Sequence, residues 1–281
     1  MGVPSAWSWE EAGGVGVWRL AAWEAEGCTA LFSSRLGGVS EGPFATLNLG
    51  LAVGDAPERV RENLRRFAAA AGVPAEALAA AEQVHGTEVV AAERPGFQGQ
   101  ADALVTDRPG VALSVQVADC CAVFLWDPVR GAVGLCHAGW RGVVRDAVGR
   151  AVAALAARYG AEPARLRAAV APSIGPCCYE VDEPVLRALA SSAPWAEAVL
   201  HPSRRPGRRH LDLREAVVRR LADAGVPRDA VAVEPTCTAC ARELLFSYRR
   251  DGGRTGRMRA LIALPGPARS AASLARTCDR P

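Results

Sequence analysis

The side chains best suited to chemistry lie in three short stretches, Gln83–Gly86 (QVHG), Ala118–Cys121 (ADCC) and Cys136–Gly142 (CHAGWRG). Each stretch places a thiol or an imidazole at a turn or a strand end beside small residues. If the strands that carry Cys120 and His137 are neighbours, one turn brings these side chains close together, and His85 would complete a His₂Cys set. Three protein ligands leave a tetrahedral zinc ion one open position, as in catalytic sites, and zinc lowers the pKa of its bound water towards neutrality. Spacing alone does not separate this set from ordinary core or surface residues.

The basic residues suggest an anion site. All 33 cationic side chains are arginine, so chemistry that requires a lysine amine, such as a Schiff base or a P-loop, is excluded. A bound phosphate would be held by planar guanidinium groups, backbone N–H groups or a metal. Several arginines stand near glycines, which favours a pocket for an oxyanion; they are Arg35, Arg141, Arg249, Arg250, Arg254 and Arg257.

The chain has nine cysteines, including the adjacent pair Cys177–Cys178 and the CxxC motif Cys237–Cys240. Adjacent cysteines are awkward disulfide partners, so we interpret these residues as free thiols or metal ligands. No second CxxC completes a zinc ribbon, and no thioredoxin-like βαβ pattern surrounds the motif. We therefore favour a non-functional interpretation of Cys237–Cys240, with a competing metal site as the alternative.

The elements that must position these residues are strands and helices without a regular βαβ alternation, which favours the α+β class. The apolar segment Val111–Trp126 predicts a single buried strand that carries Cys120, followed by a turn at Asp127–Pro128 and a strand over Ala132–Cys136. The segment Val143–Tyr159 predicts one helix.

Length and composition limit the alternatives. With 281 residues and 50% hydrophobic content the chain can fill one large core. Its net charge of +3 argues against a nucleic-acid binder. We expect a cytoplasmic protein because no apolar run suits a membrane span and the N-terminus lacks a signal-peptide pattern.

Two polar segments are predicted to lie outside the packed core. The segment 201–210 (HPSRRPGRRH) predicts a solvated arginine loop, and the segment 265–281 predicts a disordered tail.

Taken in order, the motifs resemble the YfiH/laccase-domain family, which is also called the multicopper polyphenol oxidoreductase family and includes purine nucleoside phosphorylases. The segments that carry the resemblance are 33–40 (SSRLGGVS), 46–50 (TLNLG), Asn63, 83–86 (QVHG), 101–107 (ADALVTD), 118–120 (ADC), 137–142 (HAGWRG), 173–176 (SIGP), 211–213 (LDL), 237–238 (CT), 246–250 (FSYRR) and 255–257 (TGR).

This resemblance implies a fold, a metal and an activity. The expected fold is α+β, with two mixed sheets between helix layers, similar to that of a bacterial toxin deamidase. We expect one catalytic domain over residues 28–264, preceded by an extension with the first strand over 1–27. The resemblance implies zinc on His85, Cys120 and His137. It further implies phosphorolysis of adenosine, inosine, guanosine and methylthioadenosine, together with adenosine deamination.

For a nucleoside and inorganic phosphate as substrates, we assign roles as hypotheses. Arg35, with Arg249 or Arg257, would bind phosphate, and Arg141 belongs to the same set. Asn48 and Gln83 would hydrogen-bond the ribose or base. Asp119 and Cys177 are candidate proton partners, with a structural role equally open for each. We expect a monomer that binds neither nucleic acid nor membrane.

Three alternatives remain. A copper-dependent polyphenol oxidase would need a blue-copper site and a trinuclear cluster, for which four histidines are too few, although copper could replace zinc in the His₂Cys set. Cys120 and His137 could instead form a nucleophile–base dyad of a hydrolase. The protein could also act as a precursor-editing partner in peptidoglycan synthesis.

Overall fold

Residues 7–265, which the computed structural model describes, form sixteen β-strands and six α-helices. The strands are β1 (Ser8–Ala12), β2 (Val15–Arg19), β3 (Thr29–Ser33), β4 (Leu78–Glu82), β5 (Val89–Ala91), β6 (Gly96–Gln100), β7 (Ala103–Thr106), β8 (Ala112–Val117), β9 (Cys121–Asp127), β10 (Ala132–Ala138), β11 (Arg167–Val170), β12 (Glu180–Val181), β13 (Leu200–Pro202), β14 (Arg209–Leu211), β15 (Val231–Val233) and β16 (Met258–Ala263). The helices are α1 (Ala21–Ala25), α2 (Pro57–Ala70), α3 (Trp140–Val144), α4 (Ala147–Tyr159), α5 (Glu183–Ser192) and α6 (Leu213–Asp223). None of the helices in this described range is long and apolar enough to cross a membrane. The predicted tail lies outside it from residue 266 onward.

The strands form two large sheets and one small sheet. The first has seven strands in the order β1-β2-β3-β16-β8-β4-β6, and the second has six in the order β15-β11-β9-β10-β7-β5. Both mix parallel and antiparallel pairs. The α+β class and the two mixed sheets are therefore confirmed. A third sheet, β12-β14-β13, was not predicted.

The two large sheets pack face to face between helices, because their strands are apolar on both sides. In β9, Phe124 and Trp126 point into the core shared with the seven-stranded sheet, while Val123 and Leu125 point towards α4 and α6. On the far side, Phe67 of α2 packs against the outer face of the seven-stranded sheet. The resulting helix–sheet–sheet–helix order is the predicted one.

The prediction of one continuous strand over Val111–Trp126 is wrong. The chain leaves β8 in the seven-stranded sheet and enters β9 in the six-stranded sheet, with a break at residues 118–120. Asp119 makes this crossing with φ +90°, which a non-glycine residue adopts only when other contacts hold it. Cys120 therefore lies between the sheets rather than inside a strand.

The predicted helix Val143–Tyr159 is interrupted as well. Asp146 takes a left-handed conformation with φ +61° and separates α3 from α4. Its carboxylate accepts a hydrogen bond from the N–H of Gly149 and caps α4. Because α3 begins at Trp140, the segment that follows His137 is helical earlier than predicted.

The predicted arginine loop over 201–210 is confirmed for residues 203–208, which are mostly exposed, but its two ends form the strands of a β-hairpin. Strands β13 and β14 pair with His201 opposite His210. The guanidinium of Arg209 donates to the carbonyl of Leu200 at 3.0 Å. Glu180 of β12 forms ion pairs with Arg205 at 3.2 Å and Arg208 at 3.9 Å. The local charge is thus partly balanced within the small sheet.

Candidate functional site

Two imidazoles and one thiol converge where the two large sheets meet. His85 follows β4, Cys120 lies between β8 and β9, and His137 stands near the end of β10. Strands β9 and β10 are antiparallel neighbours, with His137 opposite Ala122, so Cys120 lies beside the end of β10 as the sequence predicted. The ligand atoms of the three residues lie within 4.8 Å of one another, and Cys120 Sγ is 4.0 Å from His85 Nε2. This spacing can place all three on one metal ion.

Asp102 holds both histidines in place. His137 Nδ1 donates to Asp102 Oδ1 at 2.8 Å, which leaves His137 Nε2 free to bind a ligand. The same carboxylate accepts the backbone N–H groups of His85 at 3.0 Å, Gly86 at 2.6 Å and Val84 at 3.2 Å. Burial opposes ionisation of Asp102, but its hydrogen bonds from His137 and Gly86 lower its pKa below the usual value. A carboxylate behind a histidine is the usual support of a metal-ligating imidazole.

Gly139 keeps the space between the three side chains open. A Cβ atom at this position would lie 2.8 Å from Cys120 Sγ and 3.3 Å from His85 Cδ2. The first distance is a steric clash, so any larger residue would displace the thiol. The glycine of the CHAGWRG segment is therefore required by the close approach of the candidate ligands.

The thiol and the buried imidazole stabilise each other's charge. Burial opposes ionisation of Cys120, but the charges and hydrogen bonds of His137 and His85 lower its pKa to about 6. Burial likewise opposes protonation of His137, but Cys120 and Asp102 raise its pKa to about 9. A thiolate near neutral pH is a good metal ligand and also a good nucleophile. The pair is thus compatible with the metal site and with the dyad.

The cluster lines a cavity of about 480 Å³, within the range of small-molecule sites. Its other walls combine aromatic, amide and basic side chains. The residues that line it are Gln83, His85, Gln116, Val117, Ala118, Asp119, Cys120, His137, Gly139, Trp140, Arg141, Tyr179, Tyr248, Arg249 and Arg257.

Three arginines of this cavity stack on its aromatic rings. The guanidinium carbon of Arg141 is 4.4 Å from the ring centre of Trp140, and those of Arg249 and Arg257 are 4.9 and 5.7 Å from their tyrosine partners, Tyr179 and Tyr248. Within the described range, no carboxylate lies at salt-bridge distance from any of the three. Burial lowers the pKa of Arg257, whose Nη1 donates only to backbone carbonyls. The cavity therefore presents cationic groups that lack an ionic partner.

Three predicted site residues do not line the cavity. Arg35 lies on another surface, where its guanidinium stacks on Phe246 at 4.5 Å and donates to the carbonyl of Ala45. Asn48 is fully buried, and its amide bonds Asp55 and the backbone N–H of Arg257. Neither residue lines the cavity, and these contacts favour a structural role for Arg35 and Asn48 over the predicted contact with substrate. Cys177 lies in a separate group of cysteines.

Two other predicted residues line the cavity but are already engaged. Both amide atoms of Gln83 pair with the backbone of Gln116 at 2.8 Å, as a strand neighbour would. The oxygens of Asp119 accept from the hydroxyl of Thr238 at 2.6 Å and the backbone N–H of Arg249 at 2.7 Å. These contacts favour the structural alternative for Asp119 and make Gln83 a support of the neighbouring Gln116.

Sequence reasoning gave no role to several residues that the structure brings into the site. Asp102 belongs to the family segment 101–107 and directly precedes β7, and nothing in this local sequence indicates that its side chain contacts His137. Gln116 lines the cavity, and its Oε1 is buried with no hydrogen-bond partner. Trp140 directly precedes the candidate residue Arg141, and Tyr179 directly follows Cys178. This adjacency is the sequence feature that could have indicated their place in the site.

Replacing Asp102 with asparagine should weaken the site without removing a ligand. The new amide would place an N–H group against the donors of the 84–86 turn, so His85 and His137 would lose part of their orientation. Loss of such support typically costs about tenfold to a hundredfold in metal affinity or activity. Metal affinity measured by competition with a chromophoric chelator would test this. Asp107→Asn, an exposed position at the far end of β7, is the matched control, and equal affinities of the two variants would contradict the role of Asp102.

Comparison with known proteins identifies the family of this chain. The family model described as "Multi-copper polyphenol oxidoreductase laccase" matches residues 29–265. Purine nucleoside phosphorylase YlmD of Geobacillus stearothermophilus is 40% identical over 246 residues, which cover 84% of this chain and 90% of the relative. A purine nucleoside phosphorylase of Deinococcus radiodurans is 45% identical over 234 residues, covering 83% and 88%.

Solved structures agree with the sequence matches. The crystal structure of YlmD from Geobacillus stearothermophilus has a TM-score of 0.87 at 38% identity, covering 93% of this chain and all of that one. A hypothetical protein YfiH of Bacillus licheniformis has a TM-score of 0.86 at 33% identity, covering 91% and 98%. The resemblance inferred from the motifs is confirmed: the chain belongs to the multi-copper polyphenol oxidoreductase laccase family.

Proposed function

We propose that this protein is a zinc-dependent purine nucleoside phosphorylase that also deaminates adenosine. In phosphorolysis an oxygen of phosphate bonds to the anomeric carbon as the glycosidic bond breaks. The base leaves with the bonding electrons and gains a proton, and the sugar becomes a 1-phosphate. Adenosine, inosine, guanosine and methylthioadenosine are the proposed substrates. The observation that carries the proposal is that Arg141, Arg249 and Arg257, which have no carboxylate partner among the described residues, line the same cavity as the His85–Cys120–His137 cluster.

These arginines suit phosphate better than they suit a neutral substrate. A guanidinium offers a planar pair of N–H donors that matches two phosphate oxygens, and it keeps its charge at every physiological pH. Arg257 is the most favourable of the three, because burial has already removed much of its water. Arg249 is fixed by its bond to the carbonyl of Glu180 at 2.6 Å, which orients the rest of its donors.

The aromatic and amide groups suit the nucleoside. Purine rings stack on aromatic side chains, and Trp140, Tyr179 and Tyr248 line the same cavity. Several buried polar atoms in the described range lack a hydrogen-bond partner, and of these Gln116 Oε1 belongs to a residue that lines the cavity. Gln116 therefore replaces Gln83 as the proposed hydrogen-bonding residue for the ribose or base.

The donor set fits zinc. Two imidazoles and one thiolate are ligands that zinc accepts, and three protein ligands leave a position for substrate. The ion would be held by His85, Cys120 and His137, with Asp102 fixing His137. When bound, it supplies Lewis-acid stabilisation to an oxygen that gains negative charge.

The residues favour this activity over multicopper oxidation. A trinuclear copper cluster requires many histidines, and in the described range only one of the two metal-competent groups contains any. His201 and His210 belong to the hairpin of the small sheet. The family description therefore does not decide the chemistry of this chain.

The test is base release from adenosine by the metal-loaded protein, with and without phosphate. We expect free adenine and the sugar 1-phosphate only when phosphate is present, and inosine in both conditions. Base release that is independent of phosphate would point to a hydrolase. No turnover of any purine nucleoside at full metal occupancy would overturn the proposal and favour a binding role.

A further inference from the structure

A second group of potential metal ligands lies outside the cavity. The Sγ atoms of Cys177, Cys178, Cys237 and Cys240 lie within 4.8 Å of one another. The Sγ of Cys240 lies 3.6 Å from that of Cys177 and 3.4 Å from that of Cys178. The two cysteines of the CxxC motif thus lie beside the adjacent cysteines Cys177 and Cys178, which precede them by about 60 residues and do not themselves form a CxxC motif.

The sheet topology brings the two pairs together. Strands β11 and β15 are parallel neighbours, so the segments that follow them leave the same edge of the sheet. A further bridge joins Ser173 and Cys237, and the N–H of Thr238 donates to the carbonyl of Ser173 at 3.1 Å. The segment after β11 contributes Cys177 and Cys178, and the segment after β15 contributes Cys237 and Cys240, each pair from a short, hydrogen-bonded turn.

The spacing suits one tetrahedral ion. Zinc–sulfur bonds of about 2.3 Å correspond to tetrahedral edges of about 3.8 Å, close to the two separations at Cys240. A disulfide needs sulfurs about 2.05 Å apart and would use only two of the four thiols. Cys240 lies nearly equally far from Cys177 and Cys178, which favours shared coordination over one bonded pair.

The surrounding backbone supports a cluster of thiolates. The N–H of Gly175 donates to Cys237 Sγ at 3.2 Å. Gly175 also leaves room, since a Cβ there would lie 3.3 Å from Cys177 Sγ and 2.8 Å from a guanidinium nitrogen of Arg214. Arg214 binds the three carbonyls that precede Cys237, with the shortest contact, 2.6 Å, to Pro235. A cation beside the cluster offsets the negative charge of a four-thiolate site.

We propose that Cys177, Cys178, Cys237 and Cys240 bind one zinc ion as a structural site. Four thiolates leave the ion no open position, so the site is structural rather than catalytic. Cys237 is buried while Cys177 and Cys240 are exposed, which gives the ion a path of entry.

The ion would also stabilise one wall of the cavity. Tyr179, which lines the cavity, directly follows Cys178. Thr238, which directly follows Cys237, bonds Asp119 in the crossing that positions Cys120. Ordering both segments around one ion would fix these contacts.

Metal content tests this proposal without any use of catalytic activity. We expect two zinc ions per chain in the native mass spectrum of the wild-type protein, one in His85→Ala, one in Cys240→Ser and none in the double variant. Cys28→Ala, which removes a buried thiol outside both groups, should keep two. The wild-type count requires no variant to fold.

Cobalt reports which site is filled. In His85→Ala the bound cobalt should show the intense sulfur-to-metal charge-transfer absorption of four thiolates. A His85→Ala protein that binds no ion, or binds cobalt without that absorption, would overturn the proposal. So would a wild-type protein in which Cys240 is found in a disulfide and only one ion is present. Loss of phosphorolysis alone would bear on the proposed function and leave this count unchanged.

Discussion

Replacing His85 with alanine is expected to remove the proposed zinc ion and to reduce the proposed phosphorolysis and deamination together. The expected loss is about a thousandfold, which corresponds to several kcal/mol of Lewis-acid stabilisation. The remaining pair, Cys120 and His137, offers only two ligands, which is too few for a catalytic zinc site. His85 is exposed, and its bond to Asp102 is made by its backbone N–H, so the fold should tolerate the change. Turnover and metal content should therefore fall in parallel.

His201→Ala is the matched control, since His201 is an exposed histidine of the small sheet. It should keep both activities and the metal of the cavity. Full turnover in His85→Ala would contradict the proposed function. Rapid alkylation of Cys120 in the metal-loaded wild-type protein, with loss of activity, would instead favour the nucleophile–base dyad, because a metal-bound thiolate is protected.

The candidate ligands could be predicted because each belongs to a short stretch with a local signal. A histidine near the end of one strand and a cysteine directly before the preceding strand meet when the two strands are antiparallel neighbours, and β9 and β10 are joined by a tight turn. There the carboxylate of Asp127 accepts the N–H groups of Val129 and Arg130. The α+β class follows from the same local patterns.

What failed depends on contacts distant in sequence. An apolar run does not reveal that Asp119 turns the chain from one sheet to the other, because that conformation is held by Thr238 and the backbone of Arg249. The contact of Asp102 with His137 depends on the pairing of β7 with β10. An arginine near glycines has the same local sequence whether it lines the cavity or, as Arg35 does, stacks on Phe246 elsewhere.

The cavity arginines lead to the second large effect, which concerns phosphate alone. Replacing Arg257 with glutamine should raise KM for phosphate and lower kcat/KM by about a hundredfold, since a charge-assisted hydrogen bond contributes about 1.5–3 kcal/mol. KM for the nucleoside should change far less, because the aromatic walls remain. Arg257→Lys should recover only part of the loss, since an ammonium lacks the planar pair of donors.

The control for this change lies three residues away. Arg254 is an exposed arginine outside the cavity. Arg254→Gln therefore removes the same charge from the same segment of the chain without changing a residue that lines the cavity. Steady-state kinetics with each substrate varied in turn separates the two cases. Equal kinetics in the two variants, or a rise in KM for nucleoside that matches the rise for phosphate, would mean that Arg257 maintains the shape of the cavity through its bonds to Thr255 and Gly256 and does not bind phosphate. The expected split arises because burial has removed water from Arg257, while no carboxylate of the described residues lies at salt-bridge distance from it. We therefore expect the anionic substrate, and not the nucleoside, to depend on this guanidinium.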